Sequence, residues 1–323
     1  MVDRRRLVAI VAASALAPAV TRPVFAQAWP TRPVRVVVPF APGGSTDVVA
    51  RITADRLSRI WGQQVVIENK PGAGTNLGAE AVVNSDPDGY TIFMGSSSLA
   101  TSRNLYRSLR YAISDLAPVS LLCTFPLLML APNSSPVKSI AEFIAFAREN
   151  KGKVTFASPG VGTTPHLAGE LLKQMTEIEM QHVPYRGDAP ALADTMAGRL
   201  DLQIGGPAMF EQVRGGQVRG LAVTTAKRSP VAPEVPTVAE TGVPGFDVFA
   251  WFAFFVPVKT PHAVIEKIHA DTAAALGDPA VKAKLENIGM AAAGSTPDEL
   301  AAFVKSETDK WGVVIKAANI MLD

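Results

Sequence analysis

A short β-branched run followed by a proline- and glycine-rich turn constrains the fold of this chain most strongly. The run, Val34–Val38, is apolar and bounded by prolines. This pattern is typical of a strand buried on both faces of a parallel sheet. The turn, Pro39–Asp47, leads into a segment with apolar residues at helical spacing. The stretch therefore predicts a strand, a tight turn and the start of a helix.

Strand-like and helix-like runs alternate along the rest of the chain, which is the pattern of an α/β protein with parallel sheets. Three successive strand-like runs in the first half end in small polar loops. In open α/β sheets, ligands bind at the carboxyl ends of the strands. The strand-like runs are Val34–Val38, Gln64–Glu68, Tyr90–Met94, Val154–Ser158, Leu200–Ile204 and Val218–Thr224.

Two long apolar stretches, Leu116–Ala131 and Val248–Pro257, suit strands that cross from one domain to another and back. The predicted domains are residues 29–125 plus 248–323, and residues 126–247. The closing segment predicts three amphipathic helices, each opened by an N-cap and a proline, with no strand among them. We expect these helices to pack on the first domain.

Residues 1–28 resemble a secretory signal peptide, with a basic start, a short apolar core and small residues at Ala26 and Ala28, where cleavage is expected. The mature protein is therefore predicted to lie in the periplasm, exported by the general secretory route. The arginine run also suggests twin-arginine export as an alternative route, although most of that motif's other residues are missing. An uncleaved membrane anchor is the alternative to a cleaved signal peptide.

Charge and cysteine content exclude some classes of protein. The chain has 31 Lys+Arg and 29 Asp+Glu, and without residues 1–28 its net charge is −1. A nucleic-acid partner is not expected, because such proteins need a basic face. The single cysteine, Cys123, cannot form an intramolecular disulfide and is predicted to be a small buried hydrophobe.

Catalytic and metal-binding motifs are not found in the sequence. The four histidines show no metal-ligand spacing, and there is no Gly-x-Ser-x-Gly nucleophile turn. We therefore predict no catalytic residues, no metal and no cofactor. An exported enzyme acting on a carboxylic acid stays as an alternative.

The glycine turns are the best candidates for a binding site. Gly43 and Gly44 free the backbone of the first turn, and Ser45 or Thr46 is placed to cap the following helix. Exposed amide N–H groups at a helix start bind anions. A second turn, Gly160–His166, repeats the arrangement in the other half of the chain.

Motifs spread over nearly the whole mature chain, in collinear order, carry a family resemblance. Together they resemble the Bug-type extracytoplasmic solute receptors of tripartite tricarboxylate transporters. The motifs are Val36–Phe40 with Pro42–Asp47, Glu68–Gly74, Asp86–Thr91, Gly160–Leu167, His182–Gly187, Val235–Thr237, and Trp251 with Thr260–Pro261.

The resemblance implies a two-domain, hinged periplasmic binding protein of type II-like fold, each domain a mainly parallel sheet flanked by helices. It implies a small carboxylate held by backbone amides and small hydroxyls of both domains, and delivery to integral membrane permease subunits by a monomer. The alternative function, a ligand sensor that feeds a membrane signalling kinase, would use the same residues. The implied ligand-binding residues are Phe40, Gly43, Gly44, Ser45, Thr46, Asp47, Ser97, Ser98, Gly162, Thr163, Thr164, His166, Tyr185, Arg186, Gly187 and Gly206.

Several of these residues have a second interpretation. Arg186 could pair with a ligand carboxylate or face solvent, and Asp47 could hold water or a ligand amine or pair only with the helix dipole. For His166, a partly buried imidazole at the start of a helix is favoured over a ligand contact. Asp188 would disfavour a second negative group unless it faces an amine or water. The predicted mechanism is a carboxylate that bridges the N–H groups of both glycine turns.

Overall fold

Two β-sheets covered by helices make up residues 29–322, the part of the chain that the computed structural model describes. The predicted signal peptide lies outside these residues. The strands are β1 Val34–Val38, β2 Val65–Asn69, β3 Thr91–Ser96, β4 Leu116–Pro126, β5 Leu128–Ala131, β6 Thr155–Ser158, β7 Gln181–Pro184, β8 Leu202–Gly205, β9 Arg219–Val223, β10 Phe249–Pro257 and β11 Ala291–Ala292. The α-helices are α1 Ser45–Trp61, α2 Asn76–Val83, α3 Ser97–Leu105, α4 Ile140–Glu149, α5 Thr164–Thr176, α6 Asp188–Met196, α7 Phe210–Arg214, α8 His262–Gly277, α9 Pro279–Asn287 and α10 Pro297–Ala317.

Both sheets have a parallel core with antiparallel strands added. The first has the order β11-β4-β10-β3-β1-β2, with β1, β2 and β3 parallel and the other three strands paired antiparallel. The second has the order β7-β6-β8-β5-β9, in which β5 is antiparallel to both neighbours. The predicted two-domain α/β architecture is present, and β10 and β5, which lie next to the domain crossings, run against the parallel strands of their sheets.

Alternate residues of β1 are buried on opposite faces of the first sheet, as the apolar run predicts. Val36 and Val38 join the core on the side of α1, together with Val49. Val37 joins the core on the side of α2 and α3, together with Ala79. Burial on both faces explains why the strand has little room for polar residues.

The chain passes between the sheets at two adjacent points, and the buried side chain of Thr224 ties them together. Its hydroxyl accepts the N–H of Leu127 (2.9 Å) and donates to the carbonyl of Val248 (2.6 Å). Leu127 separates β4 from β5, and Val248 precedes β10. The structure therefore has a hydrogen-bonded hinge here, while the boundaries at residues 126 and 248 stay predictions.

The closing segment packs on the first sheet and its α1 and α3 helices, but it differs from the prediction in two details. The N-caps of α9 and α10 are Asp278 and Thr296, as predicted, but α8 begins at His262 with Pro261 as its N-cap, so Thr260 does not cap it. The segment also contains the two-residue strand β11, which pairs with β4. Two residues are too short a run for a periodic signal.

Cys123 is fully buried beside Met290, with 3.8 Å between the two sulfur atoms, and burial raises the pKa of its thiol. The prediction of a small buried hydrophobe is confirmed. Within residues 29–322, no helix is long and apolar enough to span a membrane.

Helix α5 lies close to β6 because position 169 is a glycine. A Cβ at Gly169 would overlap the ring of Phe156, which is fully buried and packs between the helix and two histidine rings. This close approach fixes where the start of α5 lies relative to the end of β6.

We predict that Gly169→Ala lowers the free energy of unfolding by about 1–3 kcal/mol through overpacking, although alanine favours a helix by about 1 kcal/mol. The matched control is Gly277→Ala at the end of α8, where nothing lies within 4 Å of the new Cβ. Urea unfolding measures both. Equal effects of the two substitutions would contradict the packing argument.

Candidate anion-binding site

The two glycine turns have the same backbone geometry. Gly43 and Gly162 both have positive φ angles, +84° and +76°. The next residue is in each case an extended N-cap, Gly44 before α1 and Thr163 before α5. The turns therefore start their helices in matching ways, one in each domain.

A side chain four residues after each glycine accepts that glycine's N–H. In the first turn, Asp47 Oδ2 accepts from Gly43 N at 3.0 Å. In the second, His166 Nδ1 accepts from Gly162 N, also at 3.0 Å. A carboxylate and an imidazole thus hold equivalent backbone conformations.

Asp47 is 2% exposed and has every bond that an ionised carboxylate needs. Arg51 donates to both of its oxygens at 2.8 and 3.0 Å, and Asn69 Nδ2 donates to Oδ1 at 2.9 Å and to the carbonyl of Phe40 at 3.0 Å. The bonds from Arg51, with those from Gly43 and Asn69, lower the pKa of Asp47 to about 2 against the opposing effect of burial. Asp47 therefore holds the first glycine turn in its conformation.

His166 is equally buried, at 4% exposure, and its ring stacks on His182 with 3.8 Å between centroids. His182 Nε2 lies 2.7 Å from Ser158 Oγ, and the Ser158 hydroxyl donates to the carbonyl of Gly160 at 3.0 Å. Burial lowers the pKa of His166 to about 3 and of His182 to about 4, helped by the charge of Lys173. Neutral rings therefore support the second turn.

The Ser158–His182 contact pairs a hydroxyl with a base, as a catalytic nucleophile would need. Ser158 is fully buried, however, and its oxygen also accepts the N–H of Gly160 at 3.2 Å. The pair fixes the loop rather than presenting a nucleophile to a cleft.

The predicted mechanism uses the N–H groups of both glycine turns, and those of Gly43 and Gly162 already have acceptors within the protein. The free donors in these turns are the first-turn amides of the helices, which have no intrahelical acceptor, except at Pro165 of α5, which has no N–H. Ser45 and Thr46 do not cap α1, since the N-cap is Gly44, which has no side chain. Thr164 does not cap α5 either. Its N-cap Thr163 turns its hydroxyl to the carbonyl of Gly160, at 2.7 Å.

The end of β3 supplies a third helix start beside the first turn. Ser97 is buried and its hydroxyl accepts the N–H of Trp251 at 3.0 Å, while Ser98 is half-buried. The hydroxyl of Ser96, the N-cap of α3, is buried with no hydrogen-bond partner in the described residues. Of the three serines, Ser96 is the one whose buried hydroxyl has no partner among the described residues, whereas the sequence predicts a ligand contact for its neighbours Ser97 and Ser98.

The three predicted ligand-binding residues that follow β7 have different surroundings. The Tyr185 hydroxyl donates to Asp194 at 2.6 Å, whereas Arg186 is exposed. Gly187 has φ +112° and donates its N–H to the carbonyl of Pro159 at 3.1 Å. Tyr185 and Gly187 therefore make their hydrogen bonds within the second domain.

Asp188 faces the glycines at the end of β8. Its Oδ2 accepts the N–H of Gly206 at 3.3 Å, while Oδ1 is buried without a hydrogen-bond partner among residues 29–322. A Cβ on Gly205 would lie 2.7 Å from Oδ1, so a larger residue there would displace the Asp188 side chain. Burial raises the pKa of the Asp188 carboxyl.

Both turns reach the opposite domain. A Cβ on Gly162 would lie 2.6 Å from Leu105 and 3.5 Å from Leu322. On the other side, Gly43 and Ser45 line a cavity of about 380 Å³ together with Pro207 and Ala208 of the second domain. The free amides at the starts of α1 and α5 therefore lie at the domain interface.

Sequence reasoning missed the residues that hold the turns from behind. Asn69 and His182 enter the sequence analysis only within family motifs. A polar residue on the strand that pairs with the one before a glycine turn is the signal that points to both, since β1 pairs with β2 and β6 with β7.

Within the described residues, no cluster of His, Cys, Asp or Glu could hold a metal ion. The arrangement offers neutral N–H donors and helix dipoles at the interface, and Arg51 of α1 is already paired with Asp47. Such a site can bind an anion without a counter-charge.

Comparisons with known proteins agree on one family. The family model described as a tripartite tricarboxylate transporter family receptor matches residues 49–320. The Bordetella pertussis protein BugT is 35% identical over 98% of this chain and 98% of its own length.

Solved structures give the same result. R. palustris Rpa4515, solved with adipate, has a TM-score of 0.83 and 39% identity, covering 91% of this chain and 100% of its own. MatC of Rhodopseudomonas palustris, solved with bound malate, has a TM-score of 0.77 and 33% identity, covering 88% of this chain and 99% of its own.

We predict that Asp47→Ala lowers the free energy of unfolding by about 1–3 kcal/mol, because the buried donors of Gly43 and Asn69 lose their acceptor. The control is Asp55→Ala on the same helix. Asp55 forms an equivalent (i, i+4) pair with Arg59, but both side chains are exposed. Removing the Asp55 carboxylate should therefore change the free energy of unfolding by close to zero. Denaturant unfolding of the two variants separates a structural carboxylate from a surface ion pair.

Stability should also fall as the pH drops from 7 to 5. His166 and His182 stay neutral in the fold but take up protons when unfolded, so the unfolded state binds more protons below its ordinary pKa of about 6.5. Each histidine should lower the free energy of unfolding by about 2 kcal/mol between pH 7 and pH 5, and the decrease should continue towards pH 4.

The pH dependence of unfolding should therefore be shallower in His182→Gln and unchanged in His262→Gln, which alters an exposed histidine. Melting curves between pH 5 and 7 measure the difference. An equal pH slope in the His182 variant and the unmodified protein would show that the stacked pair does not titrate as described.

Proposed function

Since this chain belongs to the tripartite tricarboxylate transporter receptor family, we propose that it closes on a small carboxylate through the first-turn amides of α1 and α5. The resemblance to Bug-type receptors inferred from the sequence motifs is confirmed by the family match, and receptors of this family bind solutes for a membrane transporter. The observation that carries the proposal is the pair of uncapped helix starts, one from each domain, at the domain interface.

The chemistry favours a carboxylate over a neutral ligand. Each helix start carries about half a positive charge, and its unpaired N–H groups point along the helix axis. Hydrogen bonds to an ionised oxygen are roughly twice as strong as neutral ones. Two relatives of known structure hold adipate and malate, both carboxylates.

Domain closure completes the site in this account. The hinge around Thr224 allows the two sheets to approach while the crossing segments stay hydrogen-bonded to each other. Closure removes water from the carboxylate, which strengthens its hydrogen bonds, and creates a surface that only the loaded receptor has. We propose that the permease subunits recognise that surface.

The remaining parts of the proposal concern the form of the mature protein. It is a monomer that reaches the periplasm after cleavage near Ala26 or Ala28, with Gly44, Ser45, Thr46, Thr163 and Thr164 nearest to the ligand carboxylate. The buried residues Asp47 and His166 act behind them as positioning residues.

Ser45→Pro tests the amide directly. Proline is well tolerated at the first position of a helix, and Gly44 before it is already extended (φ −76°, ψ 168°), so the fold should persist while one N–H is lost. We expect carboxylate affinity to fall about tenfold or more. Ser45→Ala keeps the N–H and should bind nearly as tightly as the unmodified protein.

The protein should first be refolded from denaturant to remove co-purified ligand and then screened by thermal shift against mono-, di- and tricarboxylates. A ligand at about 100 times its Kd adds about 2.7 kcal/mol of stability. Calorimetry with the best acid then compares the two variants. Undiminished binding by Ser45→Pro, at an unchanged melting temperature, would overturn the assignment of this amide.

A further inference from the structure

Two cavities extend from the start of α1 towards the hinge, and neither was foreseen from the sequence. The flank cavity, about 380 Å³, has Gly43 of the first turn and Ser45 and Val48 of α1 at one end. The hinge cavity, about 690 Å³, has Phe125 and Phe249 of the crossing strands at the other. These volumes fall in the range of small-molecule sites.

The cavities adjoin, since the same residues line both. The shared residues are Arg214, Val231, Asn287, Gly289 and Met290. Ser45 and Val48 are three residues apart on α1 and so lie on one face of the helix. A ligand whose carboxylate is held at the start of α1 therefore has open space beside it that leads to the hinge.

Apolar side chains dominate the walls between the two ends. Phe210 and Val231 come from the second domain, and Ile288 and Met290 from the first. Burying methylene groups against such walls favours binding by about 0.8 kcal/mol each, or three- to fourfold in affinity. The walls are suited to an extended hydrocarbon or aryl segment.

The two arginines on the walls are each paired with a glutamate. Arg214 donates to Glu211 at 2.7 Å, and Arg228 to Glu240 at 2.9 Å. Lys227 and Glu286 also line the hinge cavity. Charged side chains of both signs therefore lie at the hinge end, beyond the apolar walls.

We infer that the preferred ligand is a carboxylate with a long apolar segment, medium-chain aliphatic or aryl-alkyl, which lies in the flank and hinge cavities. This inference rests on the proposed function, because the carboxylate must be held at the start of α1. Two relatives hold the dicarboxylates adipate and malate.

The test is calorimetry of the refolded full protein with unbranched monocarboxylates from four to ten carbons and with α,ω-diacids of equal length. Affinity should rise about threefold per added methylene in both series. Equal affinities along both series would overturn the inference. Failure of every acid to bind would instead overturn the proposed function.

A filled cavity gives a second readout. Ala208 is exposed and lines the flank cavity, so Ala208→Phe should abolish the rise with chain length while leaving butanoate affinity unchanged. The matched control is Ala274→Phe, at an exposed position on α8 away from both cavities. A uniform loss for all acids in Ala208→Phe, or a persistent rise, would show that the tail lies elsewhere.

Discussion

The capture of a glycine N–H by the side chain four residues later is the interaction on which the candidate site depends. Asp47 does this for Gly43 and His166 for Gly162. Each bond holds its glycine at positive φ and directs the following amides out of the turn. Because these acceptors are buried and paired, the helix starts keep their geometry without using their own first-turn N–H groups. We propose that an external anion is the partner that satisfies those groups.

The two domains solve the same geometric problem with different chemistry. The first turn uses an ionised carboxylate held by Arg51 and Asn69, whereas the second uses a stacked pair of neutral imidazoles backed by Ser158. Their pKa values, about 2 for Asp47 and about 3 for His166, keep both supports in their functional ionisation state at neutral pH. The hinge at Thr224 links these two preformed halves, so closure needs movement between domains rather than rebuilding of either turn.

Much of the fold could be predicted from the sequence, because β-branched runs such as Val34–Val38 and capped helices such as α10 carry their signal locally. The antiparallel strands at the domain crossings and the short β11 could not, since their pairing depends on residues far apart in the chain. At the site, the glycine turns were visible but their internal bonds were not. A sequence shows that Asp47 and His166 follow glycines, but not that they take those N–H groups out of use. The cavities beside α1 likewise arise from segments as distant as Val48, Phe210 and Met290.

The most direct measurement is the amide chemical shift of the 15N-labelled protein with and without saturating carboxylate. Direct binding by the helix starts predicts large downfield proton shifts at Ser45, Thr46 and Thr164. The amides of Gly43 and Gly162 should move little, because Asp47 and His166 remain their acceptors. Large shifts at the two glycines, with the three helix-start amides unchanged, would contradict the account.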